Sequence, residues 1–294
     1  MNSLPLCCAV IALVACANVV SAQAEISQPT LTLGVILPSP NPSTSVERGI
    51  RLGVEEAAHA GKLFGRRIAR IDEPSAGNAA AALSRIAQRG AQVVIAAIED
   101  VTSIRDAAAV PVINVGSRSD ELRRQGCNPM LFHVQASVSM YSAAAGASGR
   151  NAARTRIELW HGDLERYGAG QLNDRFVARF GEEMDSDAWA GWMAVKIAWE
   201  AFLRAPEPTG KAIASHLARE ATQFDGHKGA PLSFRPWDRQ LRQPMYAVVP
   251  AENGGDAEPR ITDIPEVGRS PRPVREQLDS IGDGPDQQAC DRDS

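Results

Sequence analysis

Residues 31–37 form an apolar run closed by Pro38 and the turn-rich stretch 39–43, a pattern that predicts a buried strand. Behind it Val46, Ile50, Val54 and Ala57 recur at helical spacing, while Glu47, Arg48, Glu55 and Glu56 occupy the other faces. Ser43, Thr44 and Ser45 are each suited to cap that helix. Gly61 and Gly65 interrupt the chain before a second strand at 67–71. The alternation then continues with a helix over 79–88, an apolar strand at 93–98, a short helix over 101–109 and a strand at 111–115. Apolar runs separated by helices predict a parallel sheet covered on both faces, an α/β Rossmann-like arrangement with right-handed crossovers.

After Gly116 the pattern loosens. Residues 131–135 read as a further strand. Residues 137–151, rich in Ala, Ser and Gly, read as a weak helix or linker without an apolar face fit for a core. Helices follow at 172–180, 188–203 and 211–221, the last capped at Thr209. Trp189, Trp192 and Trp199 lie near one stripe of the second of these, a spacing that marks core packing. Short strands are expected at 232–234 and 246–249. From Asn253 onward Pro, Gly and Asp dominate, and an irregular tail is expected.

Composition narrows the function classes. The chain has 294 residues, 44% hydrophobic and 22% charged, with a formal charge of −4. This is the balance of a globular protein, and the scattered arginines do not form the basic face that nucleic-acid binding requires. Residues 1–24 carry no charge and contain an apolar run at 6–17, about 12 residues against the roughly 20 needed to cross a bilayer. Small residues at Val20-Ser21-Ala22 and Ala22-Gln23-Ala24 suit cleavage, so 1–24 reads as a signal peptide. Leu13-Val14-Ala15-Cys16 offers a second reading, a lipoprotein anchor at Cys16, the one route by which the chain would meet a membrane. Either reading places the protein outside the cytoplasm, in the periplasm. There Cys127 and Cys290 would pair as a disulfide or remain two unpaired thiols. No Cys/His spacing suggests a metal site, and no phosphate-binding loop, dinucleotide fingerprint or nucleophile elbow is present, so neither a cofactor nor an enzymatic activity is expected.

Three segments carry a family resemblance. GIRLGVEEAAHAGKLFGRRIARI at 49–71 and VVIAAIEDVTSIRDAAAVPVINVGSR at 93–118 resemble type I periplasmic solute-binding proteins, the family of the branched-chain amino-acid receptors. GAPLSFRPWDRQLRQPM at 229–245, with His161-Gly162 and Gln277-Leu278-Asp279 followed by Cys290, is similar to a subgroup linked to PQQ-dependent alcohol dehydrogenase systems. The resemblance implies two α/β lobes around a ligand. A lobe needs roughly 100 residues, and only residues 131–166 are available, so most of the second lobe is expected to be missing. The implied organisation is a leader at 1–24, a first lobe at 25–135, a shortened crossover at 136–166, returning helices and strands at 167–250, and the tail at 251–294.

In open parallel sheets ligands sit beyond the carboxyl ends of the strands, near helix N-termini. The corresponding candidates are Ser43 and Thr44, Glu99 and Asp100, and Asn114, Ser117 and Arg118. In the amino-acid receptors, hydroxyls and backbone N–H groups at such loops hold a carboxylate. Glu99 and Asp100 would repel one, and ordinary N-capping is their alternative role; Ser117 and Arg118 would accept an anion. Two functions follow from the resemblance. One is an exported binding protein delivering an amino-acid-like or alcohol-related small molecule to an ABC permease. The other is an accessory or vestigial partner of an exported PQQ-dependent dehydrogenase that has lost its ligand cleft.

Overall fold

Strand β1, Thr30–Leu37, is the element on which the sheet is built. The computed structural model describes residues 28–287 except 40, 42, 126–127, 149–153, 251–258 and 268–269. The leader expected at 1–24, Cys16, Cys127 and Cys290 lie outside the described residues. After β1 come α1 (Ser45–Phe64), β2 (Arg67–Pro74), α2 (Ala79–Gln88), β3 (Val93–Ala96), α3 (Thr102–Ala107), β4 (Val112–Asn114), α4 (Asp120–Arg124) and β5 (Leu131–His133). The five strands form one parallel sheet in the order β2-β1-β3-β4-β5.

Side chains alternate across each strand, and the alternation separates two cores. Leu31, Leu33, Val35, Val93, Ile95, Ile113 and Phe132 face one side, which is covered by α1 and by a later helix, α7 (Ser186–Arg204). Ile36, Val94, Ala96 and Val112 face the other, under Ala82, Leu83 and Ile86 of α2 and Ile104 of α3. Both faces being dry explains why the strands read as continuous apolar runs. The sequence expectation of a parallel sheet with helices on both faces is what the structure has.

The second half runs α5 (Val138–Ala147), β6 (Arg156–Glu158), α6 (Ala169–Phe180), α7 (Ser186–Arg204), α8 (Gly210–Leu217), β7 (Phe224–Asp225), β8 (Pro231–Phe234), β9 (Leu241–Arg242), β10 (Met245–Val249), β11 (Arg260–Ile264) and α9 (Val274–Asp279). Helix α7 is buried almost all round. Its tryptophans are core, as their spacing implies. The indole N–H groups still find acceptors: Trp189 donates to the Gly226 carbonyl at 3.1 Å and Trp192 to Glu56 Oε2 at 2.8 Å. Trp160 stacks on Trp189 with ring centroids 6.0 Å apart.

Three local expectations are corrected, and one expected strand finds its partners. Thr44 stands at the N-cap of α1, yet its side chain makes no cap bond; its hydroxyl donates to the Asn41 carbonyl at 3.3 Å. Residues 138–147 do form a helix with a core face, because Ser137 Oγ accepts from the Met140 N–H at 3.1 Å and Met140 and Ala144 are buried. Strand β10 has two partners, pairing antiparallel with β6 and β11 in a second, three-stranded sheet. The tail expected to be irregular contains β11 and α9. Buried charges tie it down: Arg235 donates to the carbonyls of Leu278 (3.0 Å) and Ile281 (2.6 Å), and Arg242 to Asp279 at 2.7 Å.

Candidate functional site

The loop leaving β4 is shaped by one side chain. Asn114 is fully buried; its Oδ1 accepts from the N–H groups of Gly116 (3.1 Å) and Ser117 (2.8 Å), and its Nδ2 donates to the Ser117 carbonyl at 2.8 Å. This local turn is the preferred conformation of an Asn whose amide competes with the strand ladder. Gly116 permits it, since a Cβ there would stand 2.5 Å from the Ile98 carbonyl oxygen. The same close approach brings the loop after β3, with Glu99 and Asp100, against the loop after β4. Ser119 then caps α4, accepting from Leu122 N–H at 3.3 Å.

Under this loop lies Arg123, buried and bonded to neutral acceptors: Gln240 Oε1 (2.7 Å), the Ser119 carbonyl (2.7 Å) and the Gln135 carbonyl (2.6 Å). Burial lowers its pKa to about 10, which still leaves it charged at neutral pH. A fixed positive charge therefore underlies the carboxyl ends of β4 and β5.

The sequence-derived residues converge on this end of the sheet in unequal ways. Ser43 and Thr44 are exposed at the N-terminus of α1. The next residue, Ser45, donates to Asp185 Oδ1 at 2.5 Å, which joins the N-termini of α1 and α7. Asp100 is exposed and accepts from Thr102 N–H at 3.0 Å, a capping contact at the start of α3, and Glu99 is exposed beside it. Asn114 has both side-chain atoms committed inside the loop. Ser117 is buried, and its hydroxyl accepts from Ser119 N–H at 3.4 Å. Arg118 is exposed, with its guanidinium 4.6 Å from the centre of the Tyr141 ring.

Two residues near Arg118 carried no sequence signal. Tyr141 on α5 donates to Gln135 Oε1 at 3.2 Å, and burial pushes its hydroxyl pKa up to about 12. Asp187, in the first turn of α7, reaches solvent. Surrounding protein and the neighbouring Asp185 raise its carboxyl, while Arg118 acts to lower it. Arg118 in the loop after β4, Tyr141 on α5 and Asp187 on α7 thus lie near one another beyond the strand ends. Among the described residues no group of His, Cys, Asp or Glu is set to hold a metal ion, and no helix is long and apolar enough to cross a membrane.

A pH dependence follows from two histidines. Burial and the charge of Arg123 hold His133 well below its usual range, and burial with Arg219 and Arg204 lowers His216. Each binds its proton less readily in the folded than in the unfolded chain, whose histidines titrate near about pH 6.5, so their contribution to stability is lost as pH falls through that range, more for buried His133 than for His216. Raised carboxyls at Asp187, Asp238 and Asp263 act oppositely, gaining stability as pH falls through their folded-state values. Urea midpoints of wild type and His133→Gln at pH 7.5, 6.5 and 5.5 separate the two. The difference between them is expected to shrink as pH falls.

No family model matches the sequence, and no curated protein matches it. Solved structures match. The leucine-, isoleucine-, valine-, threonine- and alanine-binding protein of Brucella ovis, in its closed conformation, is 12% identical with a TM-score of 0.65, covering 80% of this chain and 94% of that one. An ABC-type branched-chain amino acid transporter protein from Rhodopseudomonas palustris is 15% identical with a TM-score of 0.65, covering 80% and 95%. A solute-binding protein of an R. palustris ABC transporter, in complex with benzoate, is 15% identical with a TM-score of 0.62, also covering 80% and 95%. The likeness is one of fold. The central parallel sheet flanked by helices matches a lobe of these periplasmic binding proteins.

Proposed function

We propose that this chain is an exported substrate-binding protein of an ABC-type transport system and takes a small organic molecule at the crevice beyond β4 and β5. The observation that carries the reading is the juxtaposition of Arg118, Tyr141 and Asp187 there. A guanidinium on an aromatic face suits a carboxylate, and a solvent-reached carboxylate beside it suits an amine or hydroxyl. Amino acids and aromatic carboxylates, which appear in the names of the matched proteins, are the first classes to try. Alcohols and aldehydes follow from the resemblance to the alcohol-oxidation subgroup.

The proposed second lobe is reduced to α5 and the sheet β11-β10-β6. Of these, α5 supplies Tyr141, over whose ring the Arg118 guanidinium stands. The proposed setting is the periplasm after removal of residues 1–24, with a permease as partner. Non-enzymatic action belongs to the same proposal and is supported by the matched structures, which are named as binding and transport proteins.

Thermal unfolding of the mature protein against a panel of amino acids, aromatic carboxylates, alcohols and aldehydes tests the reading. A true ligand raises stability by RT ln(1 + [L]/Kd), about 2.7 kcal/mol at a hundredfold excess over Kd. A flat response across the panel would favour the accessory role in alcohol oxidation instead.

A further inference from the structure

A cavity of about 760 Å³ lies between the start of α6 and the sheet β11-β10-β6, within the size range of small-molecule sites. Arg118, Tyr141 and Asp187 are not among the residues that line it. Asp163, Glu165, Asp174 and Asp263 line it, against one guanidinium, Arg166. Arg166 approaches Asp263 only to 3.8 Å. Buried Lys228 donates to Gln243 Oε1 (2.9 Å) and the Pro244 carbonyl (3.0 Å), sits 3.8 Å from the centre of the Trp189 ring and 5.3 Å from that of Tyr246, and acts on Asp263 from behind the wall. The cavity therefore carries an excess of negative charge.

The second, independent observation is Tyr246. It is 3% exposed and lines the cavity, and its hydroxyl makes no hydrogen bond among the described residues. The groups that bear on this hydroxyl, Asp263, Arg166 and Tyr167, line the cavity as well. Tyr246 and Asp263 are direct cross-strand partners, so their side chains leave the same face of the sheet. The ring is enclosed, whereas the hydroxyl is not among the fully enclosed polar atoms and opens onto the cavity. A ligand ammonium there would supply the bond that solvent otherwise provides.

The wall is rigid enough to serve. Asn173 donates to the carbonyls of Gly162 (2.6 Å) and Leu164 (3.0 Å) and accepts from Trp160 Nε1 at 2.8 Å. His227 Nδ1 lies 3.1 Å from the Tyr167 carbonyl oxygen, and its ring stacks on Trp192. The carboxylates are spread around the cavity, and no set of them closes on a metal ion among the described residues. Dispersed negative charge with one buried phenol suits an extended organic cation better than a point ion.

We infer that this cavity is a binding site for a small organic amine, with one ammonium against Asp263 and the Tyr246 hydroxyl and any second one toward Asp163, Glu165 and Asp174. The inference goes beyond the proposed transport role and does not depend on it. The test is calorimetric titration of the mature protein with 1,4-diaminobutane at low ionic strength, with magnesium chloride as a charge control. Saturable binding is expected, weakened about tenfold by Tyr246→Phe, which removes one bond to a charged group and leaves the ring in place. Asp263→Asn should weaken it further, and Arg118→Met should leave it unchanged. The inference is overturned by any of three results: no saturation up to roughly 10 mM, near the weak limit of specific binding; equal affinity in Tyr246→Phe; or magnesium ions competing as well as the diamine does.

Discussion

Arg235→Ala is expected to lower the stability of the folded chain by about 4 kcal/mol and to open the segment after β11 to proteases. Arg235 is fully buried, and its guanidinium meets Asp238 (3.5 Å), Asp279 (3.2 Å) and two carbonyls of the chain at and just after the end of α9. Removing it leaves Asp238, itself buried, without its largest charge partner and leaves the Leu278 and Ile281 carbonyls without that donor. Breaking one side of such a pair is costly because the other side stays desolvated. Arg242 still holds Asp279, and Arg124 still holds Asp283 at 2.7 Å, so the body of the fold should survive while the tail frays. Urea denaturation reads the first effect, and mass spectrometry of limited proteolysis fragments reads the second. A midpoint matching wild type to within about 0.5 kcal/mol, the spread of neutral surface changes, would refute the clasp.

Gly49→Ala is the second large effect. Helices α1 and α7 cross so closely that a Cβ at Gly49 would lie 1.8 Å from the carbonyl oxygen of Ala188, with the Ala188 carbonyl carbon and Cα at 2.6 and 2.8 Å. The obstacle is backbone, so no side-chain rotation relieves it and the helices must part. That separates α7 from the face of the sheet it covers, at an expected cost of about 3 kcal/mol or more. Gly146→Ala is the control. It sits in α5, where an added methyl would meet nothing within 4 Å, and should be neutral or stabilising by roughly 0.5–1 kcal/mol. Equal melting temperatures for the two variants would contradict the close crossing.

The first half of the fold was legible because its signals are local. A strand buried on both faces reads as an apolar run, as residues 31–37 and 93–96 do, and helices α1 and α2 show their spacing in any short window. The tail was not legible. What orders it are bonds between Arg235, Arg242 and Arg124 and acids some 37 to 159 positions away, as the Arg242–Asp279 and Arg124–Asp283 pairs show. Likewise β10 finds β6 and β11 only after the chain has folded back.

The site divides in the same way. Arg118 could be read from its place just after a strand end. Tyr141 and Asp187 could not, since each is ordinary in its own helix and gains meaning only beside the guanidinium. Asn114 shows the converse. Its position after β4 suggested a ligand contact, whereas both of its side-chain atoms are consumed in shaping the loop.

Binding of a small organic molecule at the strand-end crevice is checked most sharply by calorimetric titration of wild type and Arg118→Met. The titrant is the compound that most raises the melting temperature of the wild-type protein. One site per chain is expected in wild type, with affinity reduced about tenfold or more in Arg118→Met through loss of a charge-assisted bond. The two proteins should melt at equal temperatures without ligand, since Arg118 is exposed. Binding of equal strength in both would mean that the crevice is not where the molecule is held.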